Sequence, residues 1–273
     1  MKRSNVILIA MLGLVLVVGP AQGADRYFCA SGASGDWDDG LGGLNWDSNA
    51  ACTDGNPGVP TAADRAIIQS GKTCNVDVTT AAADSLNVES GATLNIQAGK
   101  KLTIDDTAGS STTIAGTLNL QGASSELAFI DNSQTIDGAG KIVGQHNAAK
   151  ITVALSTTLT SDSTIEGNLQ ITGLGDFVNT GTVQASVAGI LAITAKSIED
   201  DSTALWKISG SSGAILKINV SDPTSAVLDG DFEIFDDGKL EVDSEGFTTT
   251  GTLDWRGGKI DVAIGSSVEF GTL

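Results

Sequence analysis

Gly91-Ala-Thr-Leu-Asn-Ile96 is the first clear copy of a phrase that recurs along this chain, a glycine followed by alternating apolar and polar residues. Further copies are Gly99-Lys-Lys-Leu-Thr-Ile104, Gly116-Thr-Leu-Asn-Leu120, Gly167-Asn-Leu-Gln-Ile171, Gly213-Ala-Ile-Leu-Lys-Ile218, Gly238-Lys-Leu-Glu-Val242 and Gly258-Lys-Ile-Asp-Val262. Alternation with period two predicts a β-strand that has one apolar and one polar face. Several successive copies lie only about 8 residues apart, so no crossover helix fits between them.

Short strands with glycine-marked corners and no helices favour a chain that coils on itself, each strand stacking on the strand one turn earlier. Three strand-and-corner units make a turn of about 22 to 25 residues, which is a solenoid repeat. The sequence therefore predicts an all-β fold, a single-stranded parallel β-helix (β-solenoid) that we expect to be right-handed. An antiparallel sandwich or barrel is less favoured, because the hairpin dipeptide Asn-Gly is absent from the chain.

The segment 1–23 has the pattern of a signal peptide. Lys2 and Arg3 precede an apolar stretch from Val6 to Val18, and a pattern of small residues ends at Gly23. An uncleaved membrane anchor is the alternative, but this stretch is shorter than the roughly 18 residues that a spanning helix needs. We therefore predict cleavage after Gly23, a mature chain without a membrane span, and a location outside the cell or on its surface.

The segment that follows differs from the repeats. It contains two of the three cysteines and four aromatic residues, Tyr27, Phe28, Trp37 and Trp46. A solenoid needs such a segment, because an open end exposes the apolar interior and unpaired strand edges. The predicted organisation is a signal peptide (1–23), an irregular N-terminal cap (24–65) and a parallel β-helix (66–273).

Short motifs follow one another through the cap and the first strands: Arg26-Tyr27-Phe28, Trp37, Asn45-Trp46, Pro60-Thr-Ala-Ala-Asp64 and Cys74-Asn-Val-Asp77. In these motifs the chain resembles the N-terminus of many bacterial secreted β-solenoid surface proteins, both adhesin-like and autotransporter-passenger-like. The later Leu253-Asp-Trp255-Arg-Gly257-Gly258-Lys-Ile260 is similar to their strand-and-corner phrases. The resemblance implies an extracellular, repetitive and commonly adhesive protein, and it transfers no catalytic residue.

The cysteine spacing is close to one turn of the predicted solenoid. The interval from Cys29 to Cys52 nearly equals that from Cys52 to Cys74, and either would place neighbouring cysteines within disulfide reach. Loop closure favours a bond between Cys29 and Cys52. A bond between Cys52 and Cys74 is the alternative, and three reduced cysteines are less expected in an exported chain.

One stretch of the cap imitates a calcium loop. Asp36, Asp38 and, at the twelfth position, Asp47 would supply hard oxygen ligands. Leu41 replaces the glycine of the sixth position and an aspartate replaces the final glutamate, so a solvated acidic turn is favoured over a metal site. Calcium bound by these three aspartates is the one cofactor that the sequence suggests.

The charge excludes several classes of function. The chain has 33 acidic and 15 basic residues, a net charge of -18, and a single histidine, His146. Nucleic acids and anionic membranes are recognised by clustered Lys and Arg, so we expect neither as a partner. A mechanism that needs two imidazoles is excluded as well.

The acidic residues are densest between Asp229 and Glu245. Their alternation with apolar residues indicates the outward halves of two strands rather than a pair of catalytic carboxylates. Arg256, near Asp254 and Asp261, is the one basic candidate for a lyase-like centre, and a surface ion pair is the alternative.

The sequence assigns no catalytic residue. It predicts a secreted or cell-surface structural or adhesive β-solenoid without catalytic activity; the alternative is a polysaccharide-binding module, or a polysaccharide-degrading lyase or hydrolase, on the same fold. Four tryptophans could stack on sugars, although core or cap packing is the commoner role: Trp37, Trp46, Trp206 and Trp255. The expected partners are an extracellular glycan, a surface protein or, in head-to-tail contact, a second copy of the chain.

Overall fold

The computed structural model describes residues 23–40, 44–55, 58–105, 111–131, 133–154, 157–173, 175–209, 213–221, 226–243, 247–262 and 268–272. Within these ranges the protein is all-β and has no helix, and its strands stack in parallel to form a β-solenoid of about eight turns. The fold predicted from the recurring glycine phrase is therefore confirmed.

Most strands are short, because a corner interrupts the chain after one face of the solenoid. In chain order they are β1 (Asp25–Phe28), β2 (Ser34–Asp36), β3 (Trp46–Asp47), β4 (Arg65–Ile68), β5 (Thr73–Val76), β6 (Thr80–Ala83), β7 (Ser85–Val88), β8 (Thr93–Ile96), β9 (Lys101–Asp105), β10 (Thr112–Ile114), β11 (Thr117–Leu120), β12 (Glu126–Asp131), β13 (Gln134–Asp137), β14 (Lys141–Val153), β15 (Thr158–Ser161), β16 (Thr164–Gly173), β17 (Asp176–Asn179), β18 (Thr182–Ala185), β19 (Gly189–Ala195), β20 (Ile198–Asp200), β21 (Leu205–Ile208), β22 (Ala214–Val220), β23 (Ala226–Leu228), β24 (Asp231–Ile234), β25 (Lys239–Val242), β26 (Phe247–Trp255), β27 (Lys259–Val262) and β28 (Val268–Thr272).

The strands form three ladders that run along the solenoid axis. The first ladder contains β1, β4, β7, β10, β13, β15, β17, β20, β23, the beginning of β26, and β28. The second contains β2, β5, β8, β11, the beginnings of β14 and β16, β18, β21, β24 and the end of β26. The third contains β6, β9, β12, the ends of β14 and β16, β19, β22, β25 and β27.

Inward side chains form columns, because equivalent positions on successive strands lie in register. One column of the second ladder consists of Cys74, Leu94, Leu118, Ile142, Ile165, Val183, Trp206, Phe232 and Leu253. Every member is at most 4% exposed. Each large apolar side chain buried in this way contributes about 1.5 to 3 kcal/mol, so such columns are the main source of stability.

The turns vary in length more than the recurring phrase predicts. Thr164 pairs with Thr182 across a short turn, whereas Leu205 pairs with Asp231 across a clearly longer one. The strands stay in register through both turns, and the corners absorb the difference. Corners lie on the surface, where added or missing residues cost little.

The N-terminal segment is joined to the solenoid through its own strands. β1 pairs in parallel with β4 at one edge and antiparallel with β3 at the other, and β2 pairs with β5. Phe28, Trp37 and Trp46 are buried in the same apolar core as the first turns. The ring of Trp46 lies 5.3 Å from that of Phe28 and 4.8 Å from that of Trp37, between centroids. This aromatic cluster covers the start of the solenoid.

Two expectations concern membranes and export. Among the described residues, no helix is long and apolar enough to cross a bilayer. The predicted signal peptide falls, apart from Gly23, on residues 1–22, which lie outside the described residues. Export therefore stays a prediction.

Candidate functional site: an axial groove beside the second ladder

The structure joins Cys29 to Cys52, with 5.7 Å between their Cα atoms. This is the pairing that loop closure favours, and it clamps the loop that carries Trp37 and Trp46. Cys74 is free and buried, as a member of the inward column of the second ladder. Burial raises the pKa of its thiol well above the usual value, and the nearby Asp77 and Asp36 raise it further.

The three aspartates of the calcium-like stretch have separate partners. Asp36 accepts a hydrogen bond from the side-chain amide of Asn75 at 3.4 Å, and Asp38 accepts one from the backbone N–H of Gly40 at 3.0 Å. Asp47 is almost fully buried and accepts two backbone N–H groups of the following turn. In the part of the chain that the structure describes, no group of three or more His, Cys, Asp or Glu side chains could hold a metal ion. Calcium binding here stays a prediction.

The dense acidic run is spread around one turn of the solenoid. Asp231 and Glu233 lie on β24 in the second ladder, whereas Glu241 lies on β25 in the third. Lysines on the surface compensate part of this charge: Lys207 lies 3.0 Å from Glu233, and Lys239 lies 2.5 Å from Glu241. The run is therefore a band across two faces and not a row of carboxylates along one face.

Arg256 forms a surface ion pair. Its Nε and Nη2 donate to the two carboxylate oxygens of Asp254 at 2.9 and 2.6 Å, and its guanidinium lies 5.3 Å from the ring centroid of Phe235. Asp261 instead pairs with two lysines, at 2.7 Å from Lys239 and 2.6 Å from Lys259. These hydrogen bonds lower the pKa of Asp261. Arg256 and Asp254 therefore form one ion pair, and Asp261 belongs to a separate group with two lysines. The structure does not bring the three residues together as one lyase-like centre.

Three of the four tryptophans are core residues. Trp37, Trp46 and Trp206 are at most 1% exposed, so none of them can stack on a sugar. Trp255 is 52% exposed. It follows Ile234 in register on the second ladder, so it continues an inward column at the far end of the solenoid.

A half-buried carboxylate holds one corner of the later turns. Asp200, at the end of β20, accepts hydrogen bonds from the indole N–H of Trp206 and from the backbone N–H groups of Asp229 and Gly230. Burial raises the pKa of Asp200, although the three hydrogen bonds oppose that shift. This carboxylate ties one turn to the next.

A groove of about 560 Å³ runs along the edge of the second ladder and has a shape that suits binding. Five successive strands border it, β8, β11, β14, β16 and β18, so it extends over four strand spacings, or roughly 19 Å. We call it the axial groove. Its lining residues are Gly91, Ala92, Thr93, Ala115, Gly116, Thr117, Ala139, Gly140, Lys141, Thr164, Glu166 and Gln184.

The floor of the axial groove is backbone, because its corners are built from glycine and alanine. A Cβ atom added to Gly116 would lie 2.4 Å from the carbonyl oxygen of Ala92, and one added to Gly140 would lie 2.2 Å from that of Gly116. Gly116 and Gly140 can stack this closely only because they carry no Cβ atom, and the alanines beside them add only methyl groups. The result is a smooth trough that follows the axis.

The walls of the groove are polar and carry no net charge. Thr93, Thr117 and Thr164 occupy one outward column in register on the second ladder, with Lys141 between the last two. The ammonium group of Lys141 lies 2.8 Å from a carboxylate oxygen of Glu166, so the two charges neutralise each other. Hydroxyl groups are therefore the repeated functional groups of the site.

Sequence reasoning did not find this groove. The signal is present in the phrases Gly91-Ala-Thr93 and Gly116-Thr117, where a polar β-branched residue closely follows a glycine corner. It becomes visible only in register, because the turns differ in length and the threonines are unevenly spaced in the sequence.

Comparisons with known proteins identify no relative: no protein-family model, no curated protein and no solved structure matches the chain. The fold and the groove define the protein as a β-solenoid with a polar axial groove. The resemblance to bacterial surface proteins is supported as far as the β-solenoid fold, and membership of an adhesin-like or autotransporter-like family stays an expectation.

Proposed function

We propose that this protein is an extracellular, non-catalytic β-solenoid that acts as a rigid structural and adhesive module. The observation that carries the proposal is the continuity of the three ladders, in which each turn is hydrogen-bonded to the next from β1 to β28. About eight stacked turns give a rod of roughly 40 Å that presents the same faces along its whole length.

An extracellular location is supported by the disulfide and by the signal-like N-terminal sequence. The bond between Cys29 and Cys52 closes a loop of the cap, and structural disulfides persist in oxidising compartments. The cap is thus stabilised by a bond that the cytosol would reduce.

A non-catalytic role is supported by the chemistry of the axial groove. Glycoside hydrolysis uses two carboxyl groups on opposite sides of the scissile bond. Among the described residues that line the groove, Glu166 is the one carboxylate, and it is held by Lys141. A glycoside hydrolase, one form of the alternative on this fold, would need a second acid that this lining lacks.

Head-to-tail self-association belongs to the same proposal. At the N-terminal end, a second copy cannot add a strand to the outer edge of β1, because β3 already pairs with that edge. Self-association there has to use other contacts. Light scattering of the purified mature chain over a range of concentrations tests it, and a concentration-independent monomer would remove self-association from the proposal.

The proposed function is tested with beads coated with residues 24–273 and exposed under flow to cell surfaces and to immobilised polysaccharides. We expect retention of the beads, and no release of reducing sugars or unsaturated products from the same polysaccharides. Turnover of any polysaccharide that is lost in Glu166→Gln would overturn the non-catalytic assignment. Beads that detach like uncoated beads would overturn the adhesive one.

A further inference from the structure

The axial groove repeats one chemical group at the spacing of the strands. Thr93 and Thr117 are directly in register, and Thr164 continues the same column two strands further on. Their side chains are partly exposed and face the groove that they line. A ligand stretched along the axis therefore meets a hydroxyl group at steps of about 4.8 Å, interrupted at Lys141.

The backbone of the groove is not free to bind a peptide as an added strand. That mode needs unpaired N–H and C=O groups at a sheet edge. Here the N–H of Thr117 donates to the carbonyl of Ala92 at 3.0 Å, that of Lys141 to Gly116 at 3.0 Å, and that of Thr164 to Gly140 at 3.2 Å. The strands of the ladder are thus already joined, and the ligand must be recognised by side-chain hydroxyls and amides.

Charge favours a neutral ligand. The chain as a whole carries a net charge of -18, which repels polyanions over distances of about one Debye length. Within the groove, the positive charge of Lys141 is compensated by Glu166. The axial groove therefore has no excess of positive charge to attract an acidic polysaccharide, and no excess of negative charge to attract a polycation.

We infer that the axial groove binds a neutral polysaccharide whose main chain lies parallel to the solenoid axis. Threonine hydroxyls both donate and accept hydrogen bonds, as sugar hydroxyls do. The floor carries no side chain larger than a methyl group, so a chain of sugar rings can lie along it. The inference rests on the proposed adhesive function and names the ligand class of that function. Gln184, whose amide donates to Ser209 at 3.1 Å, closes one end of the site.

The test compares two triple variants of the mature chain. Thr93→Val, Thr117→Val and Thr164→Val together remove the groove hydroxyls and keep the β-branched shape. The matched control removes three outward hydroxyls from the other two ladders, by Thr103→Val, Thr160→Val and Thr172→Val. Valine is a good strand residue, so both variants are expected to fold, and circular dichroism of each is compared with the original chain.

Binding is measured by calorimetry with four neutral soluble polysaccharides, namely mixed-linkage β-glucan, xylan, galactomannan and dextran, and with polygalacturonate as a polyanion. We expect the original chain to bind at least one neutral polymer, with an affinity that is unchanged up to about 0.5 M salt. The groove variant should lose about tenfold or more in affinity, because three hydrogen bonds are removed, and the control should lose none. Gln184→Ala, which leaves the threonines intact, should weaken binding as well.

Three results would overturn the inference: no binding to any of the four neutral polymers, equal binding by the groove and control variants, or a salt-sensitive preference for polygalacturonate. If coated beads still adhere to cells in any of these cases, the adhesive function stands and the groove is not its site. If the beads do not adhere and the soluble chain binds a neutral polymer through the threonines, the groove stands and the adhesive function fails.

Discussion

The first and the last described turns of the solenoid differ in how well their apolar side chains are covered. At the N-terminal end, Phe28, Trp37 and Trp46 fill the end of the core and are at most 1% exposed. At the last described turns, Trp255 and Val262 are 52% and 42% exposed. Both occupy inward columns, since Trp255 follows Ile234 and Val262 follows Val242 in register.

The difference shows what sealing a solenoid requires. Large rings cover the apolar columns, and the strand edges need partners as well. At the N-terminal end, β3 pairs with β1, the side-chain amide of Asn45 donates to the backbone carbonyl of Asp36 at 2.9 Å, and the indole N–H of Trp46 donates to that of Trp37 at 2.8 Å. Trp46 thus supplies both apolar cover and a hydrogen bond to the backbone that follows β2.

The largest effect is expected from removing that residue. Trp46→Ala should lower the free energy of unfolding by about 3 to 5 kcal/mol, because it opens a cavity among two other rings and frees the carbonyl of Trp37. Trp255→Ala at the other end should cost less than about 1.5 kcal/mol, because half of that side chain is already in water. Urea unfolding of both variants measures the difference. Similar losses would mean that the exposed end is as well packed as the capped one.

The second-largest loss of stability is expected from removing the disulfide between Cys29 and Cys52. It closes a loop with a sequence separation of 23 residues, which corresponds to about 3 kcal/mol of stability through the entropy of the unfolded chain. The double variant Cys29→Ser and Cys52→Ser should lose this amount in guanidinium unfolding, and a reducing agent should no longer affect it. In the control Cys74→Ala, the effect of the reducing agent should persist. If a reducing agent leaves the unfolding midpoint of the original chain unchanged, the disulfide does not contribute to its stability.

The sequence predicted the parts of this comparison that depend on local pattern. Period-two phrases such as Gly91-Ala-Thr-Leu-Asn-Ile96 determine which side chains point inward, and that choice needs no knowledge of the neighbouring turns. The favoured pairing of Cys29 with Cys52 likewise followed from spacing. The alternation in Thr73-Cys-Asn-Val76 also implies the inward position of Cys74.

Properties that depend on register could not be predicted in the same way. The axial groove requires Thr117 to lie beside Thr93 and two strands before Thr164, and variable corners hide that alignment in the sequence. The role of Trp255 also depends on its position at an end of the stack, since the same inward position one turn earlier is fully covered. The acidic run is a counter-example, because its alternation predicts the outward halves of two strands, and β24 and β25 lie on two different ladders.

A smaller effect is expected at the half-buried corner that Asp200 holds, which leads towards the last described turns. Asp200→Ala leaves the indole N–H of Trp206 and the backbone N–H groups of Asp229 and Gly230 without their acceptor, which should cost about 2 kcal/mol. The exposed Asp237→Ala serves as control and should leave the unfolding midpoint unchanged. Thermal and urea unfolding at pH 7 measure both. If Asp200→Ala is as stable as the control, the corner is held by its strands alone.

The same carboxylate gives a pH-dependent prediction. Burial raises the pKa of Asp200 in the folded state above its ordinary value of 3.8, so the folded chain holds this proton more tightly than the unfolded chain does. The extra stability from this tighter proton binding is therefore present below pH 3.8 and is lost as the pH rises through the raised value, and the hydrogen bonds to the carboxylate are what remains at pH 7. The stability of the original chain relative to Asp200→Asn should increase as the pH falls through this window. An unchanged difference between the two chains from pH 7 to pH 3 would contradict the raised pKa.

The smallest effects are expected from two arginines, one near each end. Arg26 lies 3.4 Å from Asp64 with both side chains mostly buried, and Asp64 also accepts hydrogen bonds from the N–H and hydroxyl of Thr61. Arg26→Ala leaves the Asp64 carboxylate without its cation in a poorly solvated place, so we expect the free energy of unfolding to fall by about 1 to 2 kcal/mol.

Arg256 pairs with Asp254 while 69% of its side chain is in contact with solvent, and Arg256→Ala should not shift the urea midpoint measurably. Equal losses in the two variants would show that burial at the capped end does not strengthen its ion pair, and the contrast between the ends would then rest on aromatic packing and the disulfide.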